Sequence, residues 1–179
     1  VSEFDEVGQF IAIPRVTALR LSPDGQWLAA TVSSVAADKK KYVNSIWRVD
    51  VSSAAPVRLT RSAEGEAEPA FLPDGSLMFA SSRPDPAAGP ADEPASDKPA
   101  LWLLPPAGGE ASRVTGTPGG VAKIVTARRA QSYLIASPMI DGDVARDAAL
   151  RKARSEAGVS AILHTGELAR LWDSDLGPD

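Results

Sequence analysis

Twice in its first half the chain writes a strand pattern, a Pro-Asp-Gly turn and a second strand pattern: "LRLSPDGQWLAATVSS" from Leu19 and "PAFLPDGSLMFASSR" from Pro69. A unit copied along a chain buries its apolar surface against its own copies, so an internal repeat narrows the choice of fold more than any single motif does. In the first copy "VTALRLS" (Val16 to Ser22) alternates apolar and polar residues, as a half-buried strand does. Pro23 presets φ for the turn, Asp24 can bond its own backbone, and Gly25 takes the positive φ that follows. The returning "WLAATVSSV" is almost continuously apolar, which predicts a central strand. A polar hairpin tip around "ADKKKY" separates it from a third strand, "NSIWRVDV", and "PVRLT" supplies a fourth.

The second copy keeps that order with "AEPAFL", "PDGS", "LMFASS", "ALWLL" and "ASRVT". Trp47 and Trp102 stand 55 residues apart, as do Arg58-Leu59-Thr60 and Arg113-Val114-Thr115, and Gly65 and Gly120. Four antiparallel strands per unit of forty to sixty residues is how a β-propeller blade reads in sequence. A third copy opens with "VAKIVTA" and "SYLIASPMI", although "RRAQ" stands where the turn motif should be. An insertion follows whose middle, "DVARDAALRKARSEAG", predicts a helix started by Asp141 or Asp143 and closed by Gly158. "ARLWDSDLGPD" then resumes the third strand, with Trp172 answering Trp47 and Asp175 answering Asp50.

The expected fold is therefore all-β. It is a partial β-propeller of four-stranded antiparallel blades, two complete and one incomplete, with a short N-terminal helix and one helical insertion in the third blade. The expected segments are a helix and lead-in at 1–15, blade 1 at 16–60, blade 2 at 61–115, and an incomplete blade 3 at 116–179 with its insertion at about 141–168. The helix should run from Glu3 to Ile13, end at Pro14 and pack across the first blade. "PDPAAGPADEPASDKP" (84–99) carries five prolines in sixteen residues and scarcely a large apolar side chain, which predicts a mobile loop in blade 2.

Composition limits the function classes. A formal charge of -4 and a pI near 5.1, without a basic stripe, oppose nucleic-acid binding. The absence of cysteine removes disulfides, thiolate metal sites and a cysteine nucleophile. No apolar run has the length of a membrane span and no leader pattern opens the sequence, so a cytoplasmic protein is expected, with no membrane partner.

The strings "LSPDGQWLA", "PAFLPDGSLMFASSR", "LWLLPPAGGEASRVT" and above all "RKARSEAGVSAILHT" leading into "RLWDSDLGPD" resemble the N-terminal propeller of serine peptidases of the prolyl oligopeptidase family. The similarity is greatest to bacterial acylaminoacyl-peptidase and dipeptidyl-peptidase-like members and covers Val16 to Asp179. TolB-like propellers share the Pro-Asp-Gly repeats, so a non-enzymatic module that binds a protein partner is the alternative. The resemblance implies a propeller that restricts entry of peptides to a C-terminal α/β-hydrolase domain, where a Ser-Asp-His triad does the chemistry. That triad would lie beyond Asp179. The fragment alone is expected to be inactive, and its partners would be peptide substrates reached through the parent enzyme.

No local chemistry competes with that reading. "GVSAI" (Gly158 to Ile162) lacks the closing glycine of a nucleophile elbow, and His164 stands only four residues after Ser160. His164 therefore reads as structural. The carboxylates Asp141 to Asp143 and Asp173 to Asp179 lack the alternating donors and terminal bidentate acid of a calcium loop. Catalytic, cofactor and metal residues are all expected to be none. Trp47, Trp102 and Trp172 recur at one blade position and read as inter-blade packing, with Trp27 in the core. An array with an apolar face open at each end would forgo several kcal/mol, at about 25 cal/mol per Å² of apolar surface, which predicts self-association or packing on further blades.

Overall fold

The computed structural model describes residues 6–85 and 98–159. These form two compact units that divide between Ser137 and Pro138. The first unit holds ten strands and a short helix. Strands β1 (Arg15–Leu21), β2 (Trp27–Val35), β3 (Tyr42–Asp50) and β4 (Pro56–Arg58) form one sheet in chain order. Strands β5 (Ala67–Phe71), β6 (Leu77–Ser81), β7 (Ala100–Leu104) and β8 (Ser112–Thr115) form a second of the same design. Strands β9 (Lys123–Thr126) and β10 (Tyr133–Ala136) make a hairpin. Every pairing is antiparallel.

The Pro-Asp-Gly turns form as their residues demand. Gly25 and Gly75 have φ of 71° and 87°, and Asp24 and Asp74 each accept the backbone N–H two residues ahead. The turns differ in length by one residue, because Ser22 closes on Trp27 whereas Leu72 closes on Ser76. The repeat offset is thus 50 through the turn and 49 in the strand after it. Ala30 pairs with Trp47 while Phe79 pairs with Trp102, and the two tryptophans occupy the same register position, opposite Arg58 and Arg113. Both opening strands carry a register shift, between Val16 and Ala18 and between Ala67 and Ala70.

Gly65 and Gly120 mark the same step in the two copies. Both have positive φ, and both lie against the chain at the start of the third strand, Gly65 on Asn44 and Gly120 on Pro99. The following residue then donates to that backbone: Glu66 N–H to the Asn44 carbonyl and Val121 N–H to the Pro99 carbonyl. A side chain at either glycine would meet the neighbouring chain at 3.3 Å or closer.

Two apolar clusters hold the layers. Trp27, Ala29 and Ile46 of the first sheet, with Leu59 just after it, pack on Phe71, Leu77, Phe79 and Trp102 of the second, with Trp27 edge-on to Phe71 at 4.7 Å. The opposite face of the second sheet, through Ala70, Met78 and Leu101, packs on Val121, Ile124 and Ile135 of the hairpin. Successive strand residues face opposite ways, so two faces have no sheet on them among the described residues. One is the outer face of the first sheet, where Val16, Leu19 and Leu21 are exposed; the other is Val125 and Leu134 on the hairpin.

Helix α1 (Val7–Ala12) falls inside the expected range but buries no residue. It is tethered rather than packed: Tyr42 Oη donates to the Ile11 carbonyl at 3.2 Å, and the Arg15 guanidinium lies over both Phe10 and Tyr42. In the second unit, helix α2 (Val144–Glu156) starts where Asp143 accepts from the Arg146 N–H and stops at Gly158, whose φ is 62°. The expected third strand of the third copy, with Trp172 and Asp175, lies outside the described residues, as do Ser160, His164, Asp173 to Asp179 and most of the Pro-rich loop. No helix among the described residues is long and apolar enough to cross a membrane.

Candidate functional site

The connection from the first sheet to the second, Leu59 to Glu66, gathers the most polar chemistry in the first unit. After β4 the chain stays on the third strand, with Leu59 N–H donating to the Ile46 carbonyl. Thr60 is buried, and its Oγ1 accepts the Ile46 N–H at 2.8 Å while donating to Glu66 Oε2 at 2.8 Å. Glu66 Oε1 accepts the Ser62 N–H at 3.2 Å. One carboxylate, 2% exposed, therefore closes the crossover loop and ties it to the core of the first sheet. Burial raises its pKa above the usual carboxylate value, and the Thr60 and Ser62 hydrogen bonds and the charges of Arg83 and Arg58 oppose that rise only in part. Both oxygens of Glu66 are engaged, one by the Thr60 hydroxyl, which itself accepts the Ile46 N–H, and one by a backbone amide, which is the arrangement of a structural carboxylate.

Beside this loop Arg83 leaves the end of β6 and turns back over the second sheet. Its guanidinium lies 4.3 Å from the Trp102 ring centre and 5.3 Å from that of Phe79. Nη2 reaches the Ala111 carbonyl at 3.5 Å, and the buried Nε has no hydrogen-bond partner among the described residues. A cavity of about 570 Å³ opens here, lined by Arg61, Glu64, Arg83, Trp102 and Glu110 among others. Arg61 and Arg83 also line a second space of about 310 Å³, together with Leu59 and Leu104. The arrangement offers cationic, aromatic-backed surface for binding.

Of Asp141 and Asp143, weighed in the sequence as alternative capping residues, Asp143 is the cap of α2 and Asp141 supports it from outside the helix. Asp143 receives the Arg146 N–H, while Asp141 receives the Asp143 N–H and pairs with Arg146 at 3.2 Å. Sequence reasoning missed Asp147, which is fully buried and accepts from the Ile140 and Asp141 N–H groups and from Arg151 Nε at 2.7 Å. The Arg151 bond, against the pull of burial, holds its carboxyl below the ordinary range. Its spacing to Arg151, one helical turn, was the available signal. Glu66 and Arg83 had no such signal, since the irregular loop that brings Thr60 and Ser62 onto Glu66 follows no helix or strand period, and Trp102 and Ala111 reach Arg83 from distant parts of the second sheet. Among the described residues no group of three or more His, Cys, Asp or Glu is placed to hold a metal ion.

No family model matches the chain. Over 133 residues it is 29% identical to a protein of Bacillus subtilis (strain 168) named "Uncharacterized peptidase YuxL". The match covers 74% of this chain but 19% of the relative, so the chain spans about a fifth of that protein's length. Among solved structures, a candidate TolB from Agrobacterium tumefaciens superposes with a TM-score of 0.51 at 21% identity, covering 69% of this chain and 40% of that one. The four-stranded antiparallel sheets packed face to face in the first unit are thus similar in fold to those of a TolB-like propeller, and the sequence is distantly similar to a protein named as a peptidase.

Proposed function

We propose that the chain is a non-catalytic propeller portion of a serine peptidase of the prolyl oligopeptidase family, acylaminoacyl- or dipeptidyl-peptidase-like. In this reading it gates peptide access to a C-terminal α/β-hydrolase domain lying outside these 179 residues. The observation that carries it is the 29% identity to a protein named as a peptidase, along a chain whose first unit folds as repeated propeller-type sheets. The polar connection at Thr60 and Glu66 is fully engaged in tying the crossover loop to the first sheet, which suits a scaffold and leaves the chemistry to another part of the polypeptide. The exposed faces at Leu19 and Leu21 and at Val125 and Leu134 would then be covered by further blades or a second copy. A cytoplasmic setting and peptide substrates belong to the same proposal.

A serine-reactive fluorophosphonate applied to the full-length protein tests it. The expected result is one labelled serine on a peptide beyond Asp179, with hydrolysis of acyl-peptides or dipeptide amides by the full-length protein and none by the 179-residue chain. Labelling within these residues, or none anywhere, overturns it. The likeness to a TolB structure favours a second reading, a binding module for a protein partner. An unlabelled full-length protein built of further blades alone would favour that reading.

A further inference from the structure

Arg61 and Arg83 project from different segments onto one cavity of about 570 Å³, and neither has an ion-pair partner among the described residues. Arg83 is the better defined. Two aromatic rings support its guanidinium, its Nη2 makes a single long bond to a carbonyl, and its buried Nε has no acceptor among the described residues. A buried donor left without a partner costs free energy, and a guanidinium has a planar fork suited to a carboxylate. Across the same cavity Glu64 is already paired with Lys41 at 3.4 Å, which leaves Glu110 as the carboxylate on the rim without an ion pair among the described residues.

We propose that Arg61 and Arg83, the latter supported on Trp102, form a subsite for the carboxylate of a short peptide in the cavity between the first two sheets. The peptide as source of the carboxylate rests on the peptide-handling reading above; the geometry by itself asks for a carboxylate. The two supporting rings and the half-buried position of Arg83 give the interaction more weight than a surface pair, while the exposed Arg61 supplies long-range attraction.

The test uses the full-length protein labelled with ¹⁵N at arginine, following the Nε–Hε resonance of Arg83 during titration. The probes are acetyl-Ala-Ala with a free carboxylate, the same peptide amidated, acetyl-Glu-Ala-amide, and acetate. A shift with the free acid and none with the amide, weakened about tenfold by Arg61→Gln, supports a C-terminal carboxylate as ligand. A shift confined to the Glu-containing amide, with the same sensitivity, supports an acidic side chain instead. Arg83→Gln should abolish binding, measured by calorimetry with circular dichroism confirming the fold; should it unfold, Arg61→Gln on the exposed rim still decides. Equal response to acid and amide, or indifference to Arg61→Gln, overturns the subsite while leaving peptide gating intact. A response to acetate alone overturns the peptide assignment.

Discussion

Trp47 and Trp102 occupy one position of the repeat and have different fates. Each stands in the third strand of its sheet, opposite an arginine of the fourth. Trp102 is wholly buried under the first sheet and donates its Nε1–H to the Ser81 carbonyl at 3.1 Å. Trp47 is half-buried, donates to Ser45 Oγ at 3.0 Å, and faces outward with Leu19, where no described sheet covers it. The residue type and its register are the same, so the neighbour decides the environment. The repeat writes the same surface in advance for a preceding sheet, whether or not that sheet is present.

The largest expected effect breaks or keeps this comparison. Trp102→Ala removes a buried indole between two sheets and should cost about 3–5 kcal/mol, whereas Trp47→Ala, at a half-covered site, should cost well under half of that. Urea unfolding of both variants measures it. Equal losses would mean that Trp47 is covered as fully as Trp102 in solution, which a sedimentation run would then trace to self-association.

The glycines give a smaller effect with a sharper geometric cause. Gly120 combines a φ of 82° with a neighbour, Pro99 Cδ, at 2.9 Å from where a Cβ would stand; Gly108 has nearly the same φ, 83°, and open space. Gly108→Ala should therefore report the backbone penalty alone, about 1 kcal/mol, and Gly120→Ala that penalty plus the displacement of the chain before β7. If the two variants melt alike, the close approach is not a constraint.

Much of this was legible in the sequence, and the limits have physical reasons. Alternation and the Pro-Asp-Gly turns located all the described strands, because strand period and turn chemistry are local properties. The hairpin of β9 and β10 formed although "RRAQ" lacks turn glycine, since Ala127 N–H to the Ser132 carbonyl closes it and Ile124 and Ile135 anchor it to the second cluster. The one-residue difference between the two Pro-Asp-Gly turns stayed hidden, because both motifs read alike and only the pairing partner shows where the strand restarts. The N-terminal helix was located, but its burial was not: an apolar stripe does not say whether a surface exists to receive it. Asp147 was missed despite its one-turn spacing to Arg151, whereas Thr60, Glu66 and Arg83 escaped for a common reason. A buried polar group is explained by what folding brings beside it.

Two of those groups give the remaining contrast, as buried carboxylates shifted in opposite directions. For Glu66 the folded pKa is raised from 4.5, so the native state binds the proton more tightly than the unfolded chain does. Its contribution is fully present below about pH 4.5 and is lost as pH rises through the folded value. Wild-type protein should therefore show a component of unfolding free energy that declines with rising pH above 4.5 and is missing from Glu66→Gln. A slope shared by the variant would assign it elsewhere.

Asp147 runs the other way and is expected to give the smallest and most local effect. Its folded pKa is lowered from 3.8, chiefly by the Arg151 hydrogen bond, so its contribution is present above that value and disappears as pH falls through the depressed one. The carboxylate holds the Ile140 and Asp141 amides against the first turn of α2, and Arg151 also reaches the Pro138 carbonyl at 2.8 Å, so protonation should loosen the lead-in before the helix itself. The Ile140 amide proton should titrate with a midpoint below 3.8 and lose its downfield shift together with its protection from exchange. In Arg151→Gln the hydrogen-bonded cation is gone while burial of Asp147 remains, so the midpoint should move upward toward or past 3.8. An unmoved midpoint would show that the two amides, rather than the guanidinium, hold the carboxylate ionised.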